Sequence, residues 1–242
     1  MRLQDKVAVV TGAGSGVGRA TALRFLQEGA KVVAADLQPE WLAATAELAG
    51  DRAALTTFAC DVAREPQVEA AVRHAAETYG RLDIMHNNVG ITGLKPGATT
   101  DHYDDEEWQR LLAVNVSSVF YGCKYAIKQF KVQRDGGVIL NTGSIAGIVG
   151  FGSVLYGATK AAVNQLTKGL AIEWAKRDIR VNAICPGAMP LTNFSANPGE
   201  KFKAPDSEFL DMVAAIQPRE VNWINSLGLA PLTADDVKIL RT

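Results

Sequence analysis

The chain has 242 residues, 48% hydrophobic and 21% charged, enough apolar material for the core of a single α/β domain. Its 25 basic and 26 acidic residues leave a formal net charge of −1, which offers neither a basic field for nucleic acid nor a polybasic tract for a membrane surface. The three scattered cysteines, Cys60, Cys123 and Cys185, form no Cys-x-x-Cys pair and read as free core thiols in a reducing compartment.

The N-terminal segment leads straight into an apolar strand with no signal-peptide pattern, and no apolar run reaches the length of a membrane span. The expected location is therefore cytoplasmic. Residues 6–10 are a short β-branched run, the pattern of a strand buried on both faces. Next comes Thr11-Gly-Ala-Gly-Ser-Gly-Val-Gly18, then a helical pattern through Leu23, Phe25 and Leu26 that stops at Gly29. A second strand, residues 31–35, closes on Asp36.

This is a βαβ unit with a glycine-rich first turn. Such glycines let the main chain approach a pyrophosphate closely, and the free N–H groups and dipole of the following helix face its charge. An ordinary glycine-rich loop is the plainer alternative, but the strand before, the helix after and the acid at the end of the next strand argue against it. A carboxylate at Asp36 can accept from both ribose hydroxyls of an adenosine and would repel a 2′-phosphate. Leu37 and Ser15 supply no compensating charge, and Arg19 is expected to point along its helix. The reading is NAD rather than NADP.

Residues 41–48 read as a helix and 53–59 as a strand ended by Cys60-Asp61-Val62. Residues 65–79 read as a helix with proline in its first turn. A strand at 82–86 ends in Asn87-Asn88-Val89-Gly90. His86 has no second ligand at metal spacing, so no metal is expected. A loop rich in Gly, Pro and Thr spans residues 92–102. The four carboxylates Asp104 to Glu107 are read as a solvent-facing cap on a helix dipole. That helix is expected over 105–130, with Trp108, Leu111, Leu112 and Val119 as its apolar stripe and Asn115 inside it, bonded to backbone.

A strand at 137–141 leads to the Ser144 loop and a long helix over 154–176. Tyr156 and Lys160 lie one turn apart on one face of that helix. A phenol titrates near ~10 in water, and a neighbouring ammonium favours the phenolate, bringing it nearer to use as an acid or base at neutral pH. Residues 179–184 form a last strand ending at Pro186-Gly187. The alternation implies a doubly wound parallel sheet flanked by helices, with ligands at the carboxyl ends of the strands. Residues 188–230 are irregular apart from a helical piece near 206–216 and suit a lid. The whole reads as one domain, with core residues 1–187 and a lid or divergent segment over 188–242.

As an ordered set, Thr11 to Gly18, Asp36, Asp61-Val62, Asn87-Asn88-x-Gly90, Asn115, Ser144, Tyr156-x-x-x-Lys160 and Pro186-Gly187 resemble the short-chain dehydrogenase/reductase family. The resemblance implies a Rossmann-type fold and an NAD-dependent interconversion of a secondary alcohol and a ketone. It casts Tyr156 as general acid/base and Lys160 as the group that lowers its pKa and binds the nicotinamide ribose. Ser144 would hold the substrate oxygen, and Asn115 would support a proton relay to Lys160. It places Gly12, Ser15, Val17 and Gly18 at the diphosphate and Asp61, Val62 and Asn88 at the adenosine portion. Gly90 would also contact the cofactor, and Pro186, Gly187 and Met189 would lie beside the nicotinamide, with Thr192 in place of a threonine usually found nearer.

The chain departs from the family pattern at Val89, where alanine is usual, and in a Ser144–Tyr156 interval one residue shorter than the commonest form. Residues 232–237 resemble the segment before the family's penultimate helix, so the last helix and a seventh strand are expected to be missing. By likeness, homo-oligomers form through helices 105–130 and 154–176; whether a tetramer forms is left open. Ile91, Leu94, Ile145, Phe151, Val154, Leu155, Met189 and Phe194 suggest a neutral, fairly apolar substrate. The competing readings are an NAD-binding regulatory or scaffold protein that has lost turnover and, last, a sugar-nucleotide epimerase.

Overall fold

The computed structural model describes residues 1–50, 54–93, 99–150 and 152–187. Strand β1 (Val7–Thr11) feeds helix α1 (Gly16–Gln27), then β2 (Lys31–Asp36), α2 (Pro39–Ala49), β3 (Leu55–Ala59) and α3 (Glu65–Tyr79). Strand β4 (Ile84–Asn87) is followed by α4 (Asp105–Leu112), α5 (Ser118–Gln133), β5 (Gly137–Thr142), α6 (Val154–Trp174) and β6 (Ile179–Ile184). The strands form one parallel sheet of six, in the order β3-β2-β1-β4-β5-β6. Strand order reverses between β1 and β4, the switch point at which such sheets open a crevice.

The alternation of side chains sorts the core into two layers. Val7, Val9, Val33, Met85, Ile139 and Val181 pack against Val72, Ala75, Val119, Ala126, Phe130 and Val163 of α3, α5 and α6. Val10, Val32 and Ala34 point the other way, toward Ala22 and Leu26 of α1 and Leu42 and Ala49 of α2. Strand β1 is accordingly buried along its whole length. Strand β6 alternates, with Ile179 and Val181 buried and Arg180 and Asn182 exposed, because one face alone packs against α6.

Two expectations are corrected. The helix foreseen over 105–130 is α4 and α5 joined by a π turn, Ala113–Ser117, and it runs on to Gln133, where Arg134 turns left-handed (φ 58°). The cluster at 104–107 does not all face solvent. Asp104 caps α4 by accepting from the Glu107 N–H at 2.8 Å, while Glu107 is itself buried and ion-paired with Arg110 at 3.3 Å. Among the described residues no group of metal-ligating side chains forms, and no helix is long and apolar enough to cross a membrane.

His86 on β4 is fully buried, and burial pushes its pKa down from 6.5 to about 4. Unfolded, the ring binds its proton near 6.5; folded, it stays neutral until about 4. The unfolded state therefore holds more protons between these values, so stability is full above pH 6.5 and falls as the pH drops toward 4. Chemical denaturation across that window should show a loss of up to roughly 3 kcal/mol from this group. A His86→Leu chain should show a flatter slope over the same window.

Candidate functional site

The carboxyl ends of the strands bring the sequence-predicted residues to one edge of the sheet: Gly12 after β1, Asp36 on β2, Asp61 after β3, Asn88 after β4, Ser144 after β5 and Pro186 after β6. The turn after β1 needs glycine twice over. Gly12 sits at φ +66°, and a Cβ on Gly18 would run into the Gly12 carbonyl and within 2.7 Å of Asn88 Nδ2. Helix α1 thereby starts hard against the strand, with Ser15 as an extended N-cap whose side chain makes no cap bond. The leading N–H groups of such a helix lack intrahelical partners and suit an anion.

Asp36 is buried and accepts from Gly14 N–H at 2.9 Å through one carboxylate oxygen and from Gln38 N–H at 3.1 Å through the other. Asp61, at the next strand end, accepts from Ala63 N–H at 3.0 Å and pairs with Arg64 at 3.4 Å. Val62 is buried with Ala35 and Cys60, and Val89 packs against the same cluster. Arg19 does not run along its helix as expected. Its guanidinium donates to Thr45 Oγ1 at 3.0 Å, to the Trp41 carbonyl at 3.4 Å and to the Gly14 carbonyl. Thr45 in turn donates to the Ala13 carbonyl at 2.9 Å. The glycine turn leaves carbonyls facing α2, and these attract the cation.

Lys160 is 1% exposed, and its ammonium donates to the Thr142 carbonyl at 2.7 Å. Burial pushes its pKa down to about 8. A Cβ on Gly90 would lie 3.1 Å from Lys160 Nζ and 3.5 Å from Asn115 Oδ1, so the ammonium, the Asn88–Gly90 turn and Asn115 meet at one point. Asn115 lies in the π turn, which turns it toward the loop after β4. It accepts from Ile91 N–H and donates to the Ile91 carbonyl, both at 2.8 Å, and donates to Thr159 Oγ1 at 3.0 Å. The backbone it serves thus belongs to another segment rather than to its own helix.

The Tyr156 ring centroid lies 5.8 Å from Lys160 Nζ. Burial pushes the phenol up to about 12, against a hydrogen bond with Ser144 that pulls the other way. Ser144 Oγ accepts from Ala146 N–H at 3.1 Å, which leaves its own proton to donate to the phenol oxygen. Desolvation outweighs the Ser144 hydrogen bond, so the phenol stands above its ordinary value rather than below it as expected from Lys160.

Sequence reasoning placed Cys185 in the core. It is half-buried instead, donating to Asn164 Oδ1 at 3.4 Å, with its pKa raised by burial and held back by the Ser144 backbone and the Lys160 and Lys168 charges. Its place just before Pro186-Gly187 was the available signal. Thr45, Thr142 and Thr159 were also missed, and a lone threonine carries no pattern to find. The Pro186 carbonyl accepts from Ile145 N–H at 3.1 Å, tying the Pro186-Gly187 turn to the Ser144 loop. Around the mouth, Ile91, Ile145 and Leu155 are partly buried and Val154 is exposed. Met189, Thr192, Leu94, Phe151, Phe194 and the foreseen lid lie outside the described residues.

A family model described as short chain dehydrogenase matches residues 6–202. The chain is 45% identical over 190 residues to 3beta-hydroxysteroid dehydrogenase 2 of Eggerthella lenta, covering 76% of this chain and 71% of the relative. Levodione reductase superposes with a TM-score of 0.75 at 38% identity, over 80% of this chain and 75% of that one. The 3-ketoacyl-(acyl-carrier-protein) reductase of Brucella melitensis, complexed with NADH, gives 0.73 at 39%, over 79% of each.

The glycine geometry yields a direct test. Gly18→Ala places a methyl group against the Gly12 carbonyl and Asn88 and should open the turn. Titration calorimetry should show affinity for a nicotinamide dinucleotide falling at least about tenfold, because a displaced turn presents its N–H groups less well to an anion.

Proposed function

The chain belongs to the short-chain dehydrogenase family of alcohol and ketone oxidoreductases, which use a nicotinamide cofactor, and from that premise we propose that it is NAD-dependent and interconverts a secondary alcohol and a ketone, with Tyr156 as general acid/base. One observation carries the reading. The ammonium of buried Lys160 and the Ser144 hydroxyl flank the half-buried Tyr156 at the carboxyl edge of the sheet, beside a glycine turn suited to phosphate.

Gly12, Ser15, Val17 and Gly18 hold the diphosphate; Asp36, Asp61, Val62 and Asn88 hold the adenosine half. Gly90, Lys160, Pro186 and Gly187 flank the nicotinamide ribose and ring; the resemblance assigns Met189 and Thr192, outside the described residues, to the same cofactor. The bound dinucleotide supplies or accepts the hydride. Two features support NAD over NADP. The Asp36 carboxylate is fixed by backbone N–H groups and would repel a phosphate, and Arg19 is spent on the Gly14 and Trp41 carbonyls.

Ser144 holds the substrate oxygen, and Tyr156 gives it a proton in reduction or takes one in oxidation. The phenol is pushed up and the ammonium down by the same desolvation. Each charge alone is costly there, but a phenolate formed beside a protonated Lys160 offsets part of that cost. Asn115 keeps the Ile91 loop and α6 in register around the pair and supports the relay of protons to Lys160. The apolar mouth favours a neutral, fairly apolar substrate, in keeping with relatives named for hydroxysteroids and levodione. Exposed Phe120 on α5 and Ile172 on α6 support a homo-oligomer through these helices.

Thermal unfolding with each dinucleotide tests the cofactor before any substrate is known. NADH at a hundred times its dissociation constant should stabilise the chain by about 2.7 kcal/mol, and NADPH at the same concentration by far less. Asp36→Ala should narrow that preference at least about tenfold; an unchanged ratio would remove Asp36 as the discriminator. Tyr156→Phe should lower turnover roughly 10²–10⁴-fold while NADH still binds. Turnover equal to wild type would sink the mechanism.

A further inference from the structure

His86 stands in a strand that is otherwise apolar, and nothing in the proton-transfer reading uses it. Its ring is fully buried between β1 and β5, with Nε2 3.2 Å from Thr142 Oγ1. Thr142 Oγ1 donates to Asn88 Oδ1, also at 3.2 Å. Asn88 Nδ2 donates to the Thr11 carbonyl at 3.1 Å, and Asn88 N–H donates to Thr11 Oγ1 at 3.0 Å.

The proton count along this chain has one solution. Asn88 turns its amide nitrogen toward Thr11, so its oxygen faces Thr142 and must receive a proton from it. A threonine hydroxyl has one proton to give. Nε2 of His86 must then be the donor to Thr142, which fixes the Nε2–H tautomer and leaves Nδ1 as a bare acceptor. Nδ1 is indeed buried without a hydrogen-bond partner among the described residues. The opposite tautomer would strand a buried N–H donor, the costlier arrangement.

The circuit ends on the glycine turn. Asn88 Nδ2 lies where side chains on Gly12 and Gly18 would stand, at 3.0 and 2.7 Å from their absent Cβ positions. Asn88 therefore packs directly against the two glycines that shape the phosphate cradle.

We propose that His86 is a positioning residue for the dinucleotide: its Nε2–H, donated to Thr142, commits the threonine proton to Asn88 and so holds Asn88 against the Gly12–Gly18 turn. The inference rests on reading this crevice as the dinucleotide site. A valine or leucine in this strand position would keep the packing and leave Thr142 free to rotate.

The test is the affinity for NADH and for ADP-ribose, by titration calorimetry on the full chain and on His86→Leu and His86→Gln. Glutamine places an amide N–H near the position of Nε2–H; leucine fills space without a donor. His86→Leu should weaken both ligands about three- to tenfold, the worth of one net hydrogen bond, while His86→Gln stays near wild type. ADP-ribose should fall in step with NADH, because the circuit acts on the adenosine and diphosphate half. Unchanged affinity in His86→Leu, equal losses in both variants, or a loss for NADH alone each overturns the proposal.

Should His86→Leu fail to fold, Thr142→Val and Thr142→Ser make the same comparison through the next group in the circuit. Valine should lose affinity and serine keep it; equal affinities overturn the proposal. A wild-type chain that binds neither ligand overturns the functional reading and this inference together, whereas wild-type binding with an indifferent His86 overturns only the inference.

Discussion

Among the described residues the most deeply buried charge is the ammonium of Lys160, 1% exposed and answered by the Thr142 carbonyl at 2.7 Å. Removing a charge from water costs several kcal/mol even after relaxation, and the lowering of Lys160 to about 8 records that cost. The surroundings are built to accept it. Thr142 is held in place by pairing with β6, and Gly90 omits the side chain that would crowd the ammonium. Gly147 makes room for the helix backbone instead. A Cβ there would lie 2.5 Å from the α6 backbone at Lys160 and Ala161, so the turn carrying Ser144 can settle directly on the helix carrying Tyr156.

A buried lysine one turn from a half-buried tyrosine raises a question that geometry answers. Desolvation alone keeps the phenol protonated and lowers the amine toward about 8, opposing both charges. In the proposed reaction the serine hydroxyl and the ammonium would favour the phenolate as its proton leaves. Preorganised donors in a poorly solvated site act strongly and need no reorganisation. The π turn belongs to the same design. One extra residue in the α4–α5 run lets Asn115 leave its own helix ladder and bind both edges of Ile91, joining the β4 loop to α6 through Thr159.

Much of this was legible because it is local. The βαβ start, Asp36 at a strand end and the bounds of α3 follow from β-branched runs, glycines and a first-turn proline, which act on their own neighbours. What escaped depends on contacts distant in sequence. An inserted π residue leaves the apolar stripe of a helix nearly in phase, so 105–130 reads as unbroken. The turn of Arg19 toward α2 requires carbonyls from Gly14 and Trp41. The Tyr156 shift is set by burial, which no spacing of Tyr and Lys encodes. Cys185 came to the site by the same route, carried there by β6.

Strand register and site geometry are one constraint here. Asn87 pairs in register with Asn141, and their amides bond at 2.9 Å. Asn141 donates on to Thr167 of α6 at 2.9 Å, and Thr167 to the Val163 carbonyl at 2.8 Å. One residue further along, Asn88 and Thr142 form the second rung, at 3.2 Å. A slip of one residue between β4 and β5 would bury several amide groups without partners, each costing about 1–3 kcal/mol. It would also move the Thr142 carbonyl away from Lys160. The polar rungs near the sheet's carboxyl edge therefore select the register that places the ammonium, and a parallel sheet of interchangeable valines elsewhere has no comparable means of choosing it.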